Sequence, residues 1–152
     1  MHKLLFLSLG LVLLVSCKKD LTPEEQLQKD LGLIRQYLSD NNLTADSTSS
    51  GLHYIITKEG TGGNPPANST VTVKYKGYRL DGTVFDETTG SSTATFPLYN
   101  LIQGWQEGIP LLKKDGKGTF LVPSYLGYGS SPVGTIPANS VLIFEIELVK
   151  FQ

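Results

Sequence analysis

Apolar positions follow two different periods along this chain. Leu27, Leu31, Ile34 and Leu38 recur at spacings of 4, 3 and 4, which lays one apolar stripe along a helix of four to five turns. Thr22-Pro23-Glu24-Glu25 supplies its start: Thr22 caps, Pro23 suits the first turn, and Glu25 completes a capping box. Asp40-Asn41-Asn42 ends it. The stripe is expected to pack on the chain's own domain, with pairing of two copies as the alternative. Ala45–Gly51, rich in Ser, Thr and Asp, reads as a polar connector.

From Leu52 the period becomes two. Leu52, Tyr54 and Ile56 alternate with His53 and Thr57, which places His53 on a solvent-facing side. Gly60–Asn68 is a loop. Val71, Val73 and Tyr75 form a second strand, and Asp81-Gly82 marks a tight hairpin turn before Val84-Phe85. Thr88–Thr95 suits a loop or a bulged edge, and Phe96–Leu98 a brief strand. Asn100 is the expected cap of a short helix through Leu101, Ile102, Trp105 and Gln106, closed by Gly108 and Pro110. Thr119–Val122 is a strand stopped by Pro123, and Tyr125–Pro137 a long loop. In Val141–Val149, Leu142, Phe144, Ile146 and Leu148 share one face and Glu145 and Glu147 the other, which predicts a buried face and a wet one. Antiparallel strands with one short central helix make an α+β domain.

The first residues bear on compartment. Leu4–Val15 is apolar except for Ser8 and Gly10, too short for a span of about 20 residues and shaped like a secretory h-region. Leu14-Val15-Ser16-Cys17 resembles a bacterial lipobox, and Cys17 is the single cysteine. That resemblance implies a signal peptide over 1–16 and lipid on Cys17; the expected organisation then continues with a lipidated tether and helix over 17–50 and a folded domain over 51–152. Lipid would hold the protein to a membrane of the bacterial cell envelope without crossing it, periplasmic or surface-facing. A mature chain from Cys17 has no free thiol for a disulfide. With 13 basic and 14 acidic residues, the chain has no basic stripe for a phosphate backbone, so nucleic acid is not an expected partner.

Composition restricts the chemistry further. With only His2 and His53 in the chain and Cys17 committed to lipid, no His/Cys metal cluster can be built. No G-x-S-x-G nucleophile elbow is present. Asp81, Asp86 and Glu87 surround one hairpin without the arrangement of an acid/base pair. What remains is aromatic and aliphatic, which suits a shallow apolar pocket.

Four stretches carry a more specific signal: Phe85-Asp86, Gly104-Trp105 with Glu107-Gly108, Tyr128-Gly129, and Ile136-Pro137 leading to Phe144. Their order and wording resemble the FKBP-type peptidyl-prolyl cis-trans isomerases over roughly residues 64–152. The resemblance implies a curved antiparallel β-sheet wrapped around a short α-helix, here preceded by an N-terminal amphipathic helix. It implies a catalytic pocket of Tyr75, Phe85, Asp86, Trp105, Tyr128 and Phe144, with Trp105 as its floor. Leu101, Ile102 and Ile136 would bind substrate, Ile136 closing the rim. The Tyr128 hydroxyl and the Ile102 N–H would hold substrate carbonyls, with Asp86 beside the pocket. Each residue also has a plainer reading: Phe144, Tyr75 and Trp105 as core, Asp86 as a turn acceptor. Departures from the family fall at the rim: Ala94 stands where another aromatic is frequent, Pro123–Gly129 is one residue longer, Thr88–Thr95 lacks hydrophobic anchors, and Ser130–Thr135 differs in composition.

Isomerisation needs no nucleophile, metal or cofactor. The barrier of roughly 18–20 kcal/mol reflects amide resonance, and an apolar pocket favours the twisted, less dipolar amide. The expected function is peptidyl-prolyl cis-trans isomerisation assisting the folding of exported proteins, with proline-containing polypeptides as partners and FKBP-directed macrolides as candidate ligands. The alternatives are a proline-segment-binding chaperone or scaffold without turnover, and a structural envelope lipoprotein.

Overall fold

In the computed structural model, which describes residues 20–152, the elements run α1 (Pro23–Asp40), β1 (Asp46–Ser47), β2 (His53–Lys58), β3 (Thr70–Arg79), β4 (Val84–Glu87), β5 (Ala94–Pro97), α2 (Gln103–Gly108), β6 (Lys117–Val122) and β7 (Leu142–Phe151). The apolar leader and Cys17 lie outside the described residues. The strands form one antiparallel sheet in the order β1-β2-β6-β7-β3-β4, with β5 also paired to β3. The two short strands divide one edge of β3 between them: Thr70–Val73 pairs with β5, and Lys76–Tyr78 with β4.

The capping box at the start of α1 forms as expected. Glu25 N–H donates to Thr22 Oγ1 at 3.2 Å, and Thr22 N–H to Glu25 Oε2 at 2.8 Å. At the other end Leu43 N–H reaches Leu38 C=O at 2.8 Å and Asn42 N–H reaches Ser39 C=O at 3.1 Å, with Asn42 at φ +53. That is a Schellman closure with Asn in the place glycine usually takes.

Strand alternation sorts the core onto two faces. Phe120, Val122, Leu142, Phe144, Ile146 and Leu148 point to the side of α2, joined by Val71, Val73, Trp105 and Ile109. A β-carbon on Gly104 would stand 2.6 Å from Val122 Cγ1, and one on Gly108 2.8 Å from Phe120 Cδ1. These two glycines, four apart, let α2 lie directly on β6.

The opposite face is not simply wet. Leu121 and Ile143 are fully buried there, beneath Ile34 and Leu38 of α1. The amphipathic stripe therefore packs on its own domain, and Glu145 and Glu147 keep the middle of the outer side of β7 polar.

Three local expectations change. The connector over 45–51 contains β1, paired Asp46 to Tyr54 and Ser47 to His53 around a turn closed by Gly51 N–H to Thr48 C=O. His53 is half-buried, its Nδ1 2.9 Å from Gly51 C=O. Asn100 does not cap α2. It sits in a 3₁₀ turn over Leu98–Asn100, and α2 begins three residues later at Gln103, with Ile102 at the cap position and no side-chain cap bond. Gln106 does the nearby work, its Nε2 donating to Leu101 C=O at 2.7 Å and so fixing the approach to the helix.

Candidate functional site

Tyr75 and Phe144 project from neighbouring strands on the α2 side of the sheet, where Gly77 is the register partner of Phe144. Phe85 and Asp86 are consecutive on β4, so a regular strand would send them to opposite faces. A bulge prevents this. Gly77 pairs with Asp86 and Tyr78 with Val84, which leaves Phe85 as the extra, unpaired residue. Bulges re-aim side chains, and here both residues reach the same cavity.

That cavity, about 210 Å³, is lined by Tyr75, Phe85, Asp86, Phe96, Leu101, Ile102, Trp105, Tyr128 and Phe144. Eight of the nine residues expected at the site come together there. Ile136 does not line it. Val133 and Ile136 exchange backbone hydrogen bonds at 3.0 and 2.9 Å, and this tight closure leaves Ile136 buried in the main core. Phe96 is the lining residue that sequence reading missed. It follows Ala94 by two on β5 and so occupies the same side of that strand. A larger groove, about 900 Å³, lies between the start of α1 and residues 124–139, but it lacks the aromatic walls.

Trp105, buried on the first turn of α2, is the hub of the aromatic packing. Tyr75, Phe144 and Phe96 meet it edge to face with ring centroids 5.1, 5.3 and 6.3 Å away, and Phe85 meets Phe144 at 5.6 Å. Such pairs contribute about 0.5–1.5 kcal/mol each beyond burial. The indole Nε1 has no partner among the described residues.

Three polar groups face this apolar wall. Tyr75 Oη donates to Asp86 Oδ2 at 2.5 Å. Burial, and then that bond and the Asp86 charge, push the Tyr75 phenol far above its ordinary range. Burial, and secondarily the Asp86 charge, also raise Tyr128. Both phenols are therefore neutral donors at neutral pH. The Tyr75 proton is engaged by Asp86, whereas no described residue hydrogen-bonds the Tyr128 hydroxyl. The Ile102 N–H likewise has no acceptor among the described residues. The arrangement offers a desolvated slot for one compact apolar ring with two donors at its margin. Among the described residues no three His, Cys, Asp or Glu side chains gather as a metal site, and no helix is long and apolar enough to cross a membrane.

Comparison with known proteins agrees with this geometry. The sequence pattern of the family described as FKBP-type peptidyl-prolyl cis-trans isomerase matches residues 62–149. The isomerase FkpA of Aeromonas hydrophila is 46% identical over 107 residues, which are 70% of this chain and 40% of that protein. FkpA of Escherichia coli is 40% identical over 104 residues, 68% of this chain and 38% of that protein. The chain thus spans about two fifths of the length of these curated relatives. The crystal structure of Escherichia coli FkpA superposes with a TM-score of 0.73 at 33% identity, covering 85% of this chain and 62% of that one. A peptidyl-prolyl cis-trans isomerase from Pseudomonas syringae superposes at 0.71 with 27% identity, covering 88% and 98%.

Proposed function

The chain belongs to the FKBP-type peptidyl-prolyl cis-trans isomerase family, and from that premise we propose that it catalyses cis–trans exchange at X-Pro bonds of exported polypeptides. The observation that carries this reading is the aromatic cavity with an unengaged Tyr128 phenol at its margin. The prolyl ring enters between Tyr75, Phe85, Trp105 and Phe144. Removing water from the flanking carbonyl weakens the resonance form that keeps the amide planar, so the twisted amide is favoured over the ground state. Tyr128 Oη and the Ile102 N–H hold substrate carbonyls while the bond turns. Asp86 restrains Tyr75 and contributes a fixed negative charge beside the rotating amide. No covalent step and no cofactor enter.

Uncatalysed exchange takes tens to hundreds of seconds, so acceleration is useful where newly exported chains fold. The test is relaxation of X-Pro peptides with residues 20–152, varying X, with and without an FKBP-directed macrolide. A neutral hydrogen bond contributes about 0.5–1.5 kcal/mol net. Tyr128→Phe should therefore lower kcat/KM by about two- to tenfold, and Phe85→Ala by more. A folded sample that accelerates no peptide sinks the catalytic reading and leaves proline-segment binding in its place. Macrolide inhibition is expected through the same cavity, with Phe96 as the aromatic wall that Ala94 does not provide.

Attachment to an envelope membrane through lipid on Cys17 is part of the same proposal. Its support is the Leu4–Val15 apolar run ending at the single cysteine. Mass spectrometry of the mature N-terminus tests it: an unmodified Cys17, or a chain that still begins at Met1, overturns it.

A further inference from the structure

We propose that Asp30, on the N-terminal helix, is a positioning residue for Tyr128, so that α1 is part of the isomerase site and more than a tether. The proposal rests on the isomerase reading above. Asp30 is fully buried, because it lies four residues before Ile34 on the helix face that packs against the sheet. Its Oδ2 accepts two hydrogen bonds from one residue of the cavity loop: Ser124 N–H at 2.8 Å and Ser124 Oγ–H at 2.6 Å. Its Oδ1 accepts from Gln26 Nε2 at 2.7 Å. A buried carboxylate is retained only when its oxygens are satisfied, and this one is satisfied chiefly by the loop.

The chain of contact then runs straight to Tyr128. Ser124 C=O accepts the N–H of Gly127 at 3.0 Å and of Gly129 at 2.8 Å, the two residues that flank Tyr128. Fixing Ser124 from one side with Asp30 therefore fixes the short arch on which the phenol stands. A second tether acts on the next residue. Tyr125 Oη donates to Ser50 C=O, and Ser50 Oγ donates to both oxygens of Glu107 on α2, at 2.9 and 2.7 Å. The segment before β2 thus ties the Tyr128 arch to the helix that carries Trp105. Within a catalytic geometry, a displacement of about 1 Å can cost as much as 100-fold in rate, so even partial loosening of this arch should register.

The experiment combines kinetics with amide exchange on residues 20–152. Asp30→Ala should lower kcat/KM by about five- to tenfold, and Asp30→Asn, which keeps one oxygen for Ser124, should recover part of the loss. Exchange at Gly127 and Gly129 should quicken while Tyr75 and Phe144 amides stay protected. In a double-mutant cycle with Tyr128→Phe, the Asp30→Ala loss should largely vanish, because both changes remove the same interaction. Ile34→Ala removes packing against Leu121 and Ile143 and leaves the Asp30–Ser124 bonds in place, so it should leave kcat/KM unchanged wherever it is folded. The proposal is overturned by a folded Asp30→Ala chain with parental turnover, by losses that add fully to Tyr128→Phe, or by an equal loss in Ile34→Ala. A parent chain without turnover would instead sink the isomerase reading, and the Gly127 and Gly129 exchange would still decide whether Asp30 holds the arch.

Discussion

Gly77 on β3 leaves the space that the ring of Phe85 on β4 fills: a β-carbon at 77 would stand 2.6 Å from Phe85 Cε2 and 2.9 Å from Phe144 Cε1. Neither ring can yield without disturbing the other, since they already meet edge to face. Gly77→Ala should therefore cost about 1–3 kcal/mol of stability through overpacking. It should also lower turnover more than a surface change of equal destabilisation, because the displaced rings are cavity walls. Chemical denaturation and peptide relaxation on the same sample check both halves. A stable Gly77→Ala chain with parental kcat/KM would show that the cavity tolerates a shifted Phe85.

Turnover should not respond to phenol ionisation across neutral and mildly alkaline pH. Tyr75 and Tyr128 are both held above their ordinary range, so both remain protonated donors. The sign for stability follows. With folded values raised above unfolded ones, the contribution of these tyrosines is complete below about pH 10, the ordinary phenol value, and is lost as pH rises through the folded values. A kcat/KM profile from pH 6 to 9 should be flat in this respect. A fall between pH 8 and 9 that Tyr128→Phe removes would contradict the assignment of Tyr128 as a neutral donor.

Trp105 joins stability to site shape. It is buried and touches Tyr75, Phe96 and Phe144 at once. Trp105→Ala should cost about 3–5 kcal/mol and abolish turnover. Trp105→Phe should retain the fold with an enlarged cavity and weaker substrate affinity, read as a raised KM. If Trp105→Ala melted near the parental temperature, the aromatic cluster would not be the keystone proposed here.

What was legible in the sequence was periodic or had a fixed local spacing. The Thr22–Glu25 box, the Leu27–Leu38 stripe and the inward set Tyr54, Ile56, Val71, Val73, Tyr75, Leu142, Phe144, Ile146 and Leu148 each state a local rule that the fold obeys. The four family-like stretches hold five of the residues that meet in the cavity, Phe85, Asp86, Trp105, Tyr128 and Phe144. What stayed hidden depends on partners far away in the chain. Alternation alone would separate Phe85 from Asp86; only the β3 register reveals the bulge that unites them. Asp30 is polar on a helix and so looks solvated, yet its partner lies 94 residues on. The β7 face of Glu145 and Glu147 is expected to be wet, but Ile143 on that face is covered by α1. Ile136 is expected at the rim from the family resemblance, but with Val133 closing on it, it lies buried in the main core.

The cover that α1 provides gives the last prediction. Ile34 is fully buried and Leu38 nearly so, both against Leu121 and Ile143 on the face opposite the cavity. Sheet residues so apolar on an outer face would otherwise meet water, and an uncovered patch of this kind favours aggregation. Ile34→Ala should cost about 2–5 kcal/mol and lower the melting temperature by several degrees per kcal/mol lost. A chain starting at Ala45 should expose Leu121 and Ile143, bind a hydrophobic dye and associate as concentration rises. The FKBP-like pattern itself begins only at residue 62, so family coverage alone would mark α1 as dispensable. A chain from Ala45 that stayed monomeric and melted at the parental temperature would prove the helix an accessory. Loss of solubility in that chain, with Ile34→Ala intermediate, would make α1 a structural part of the domain.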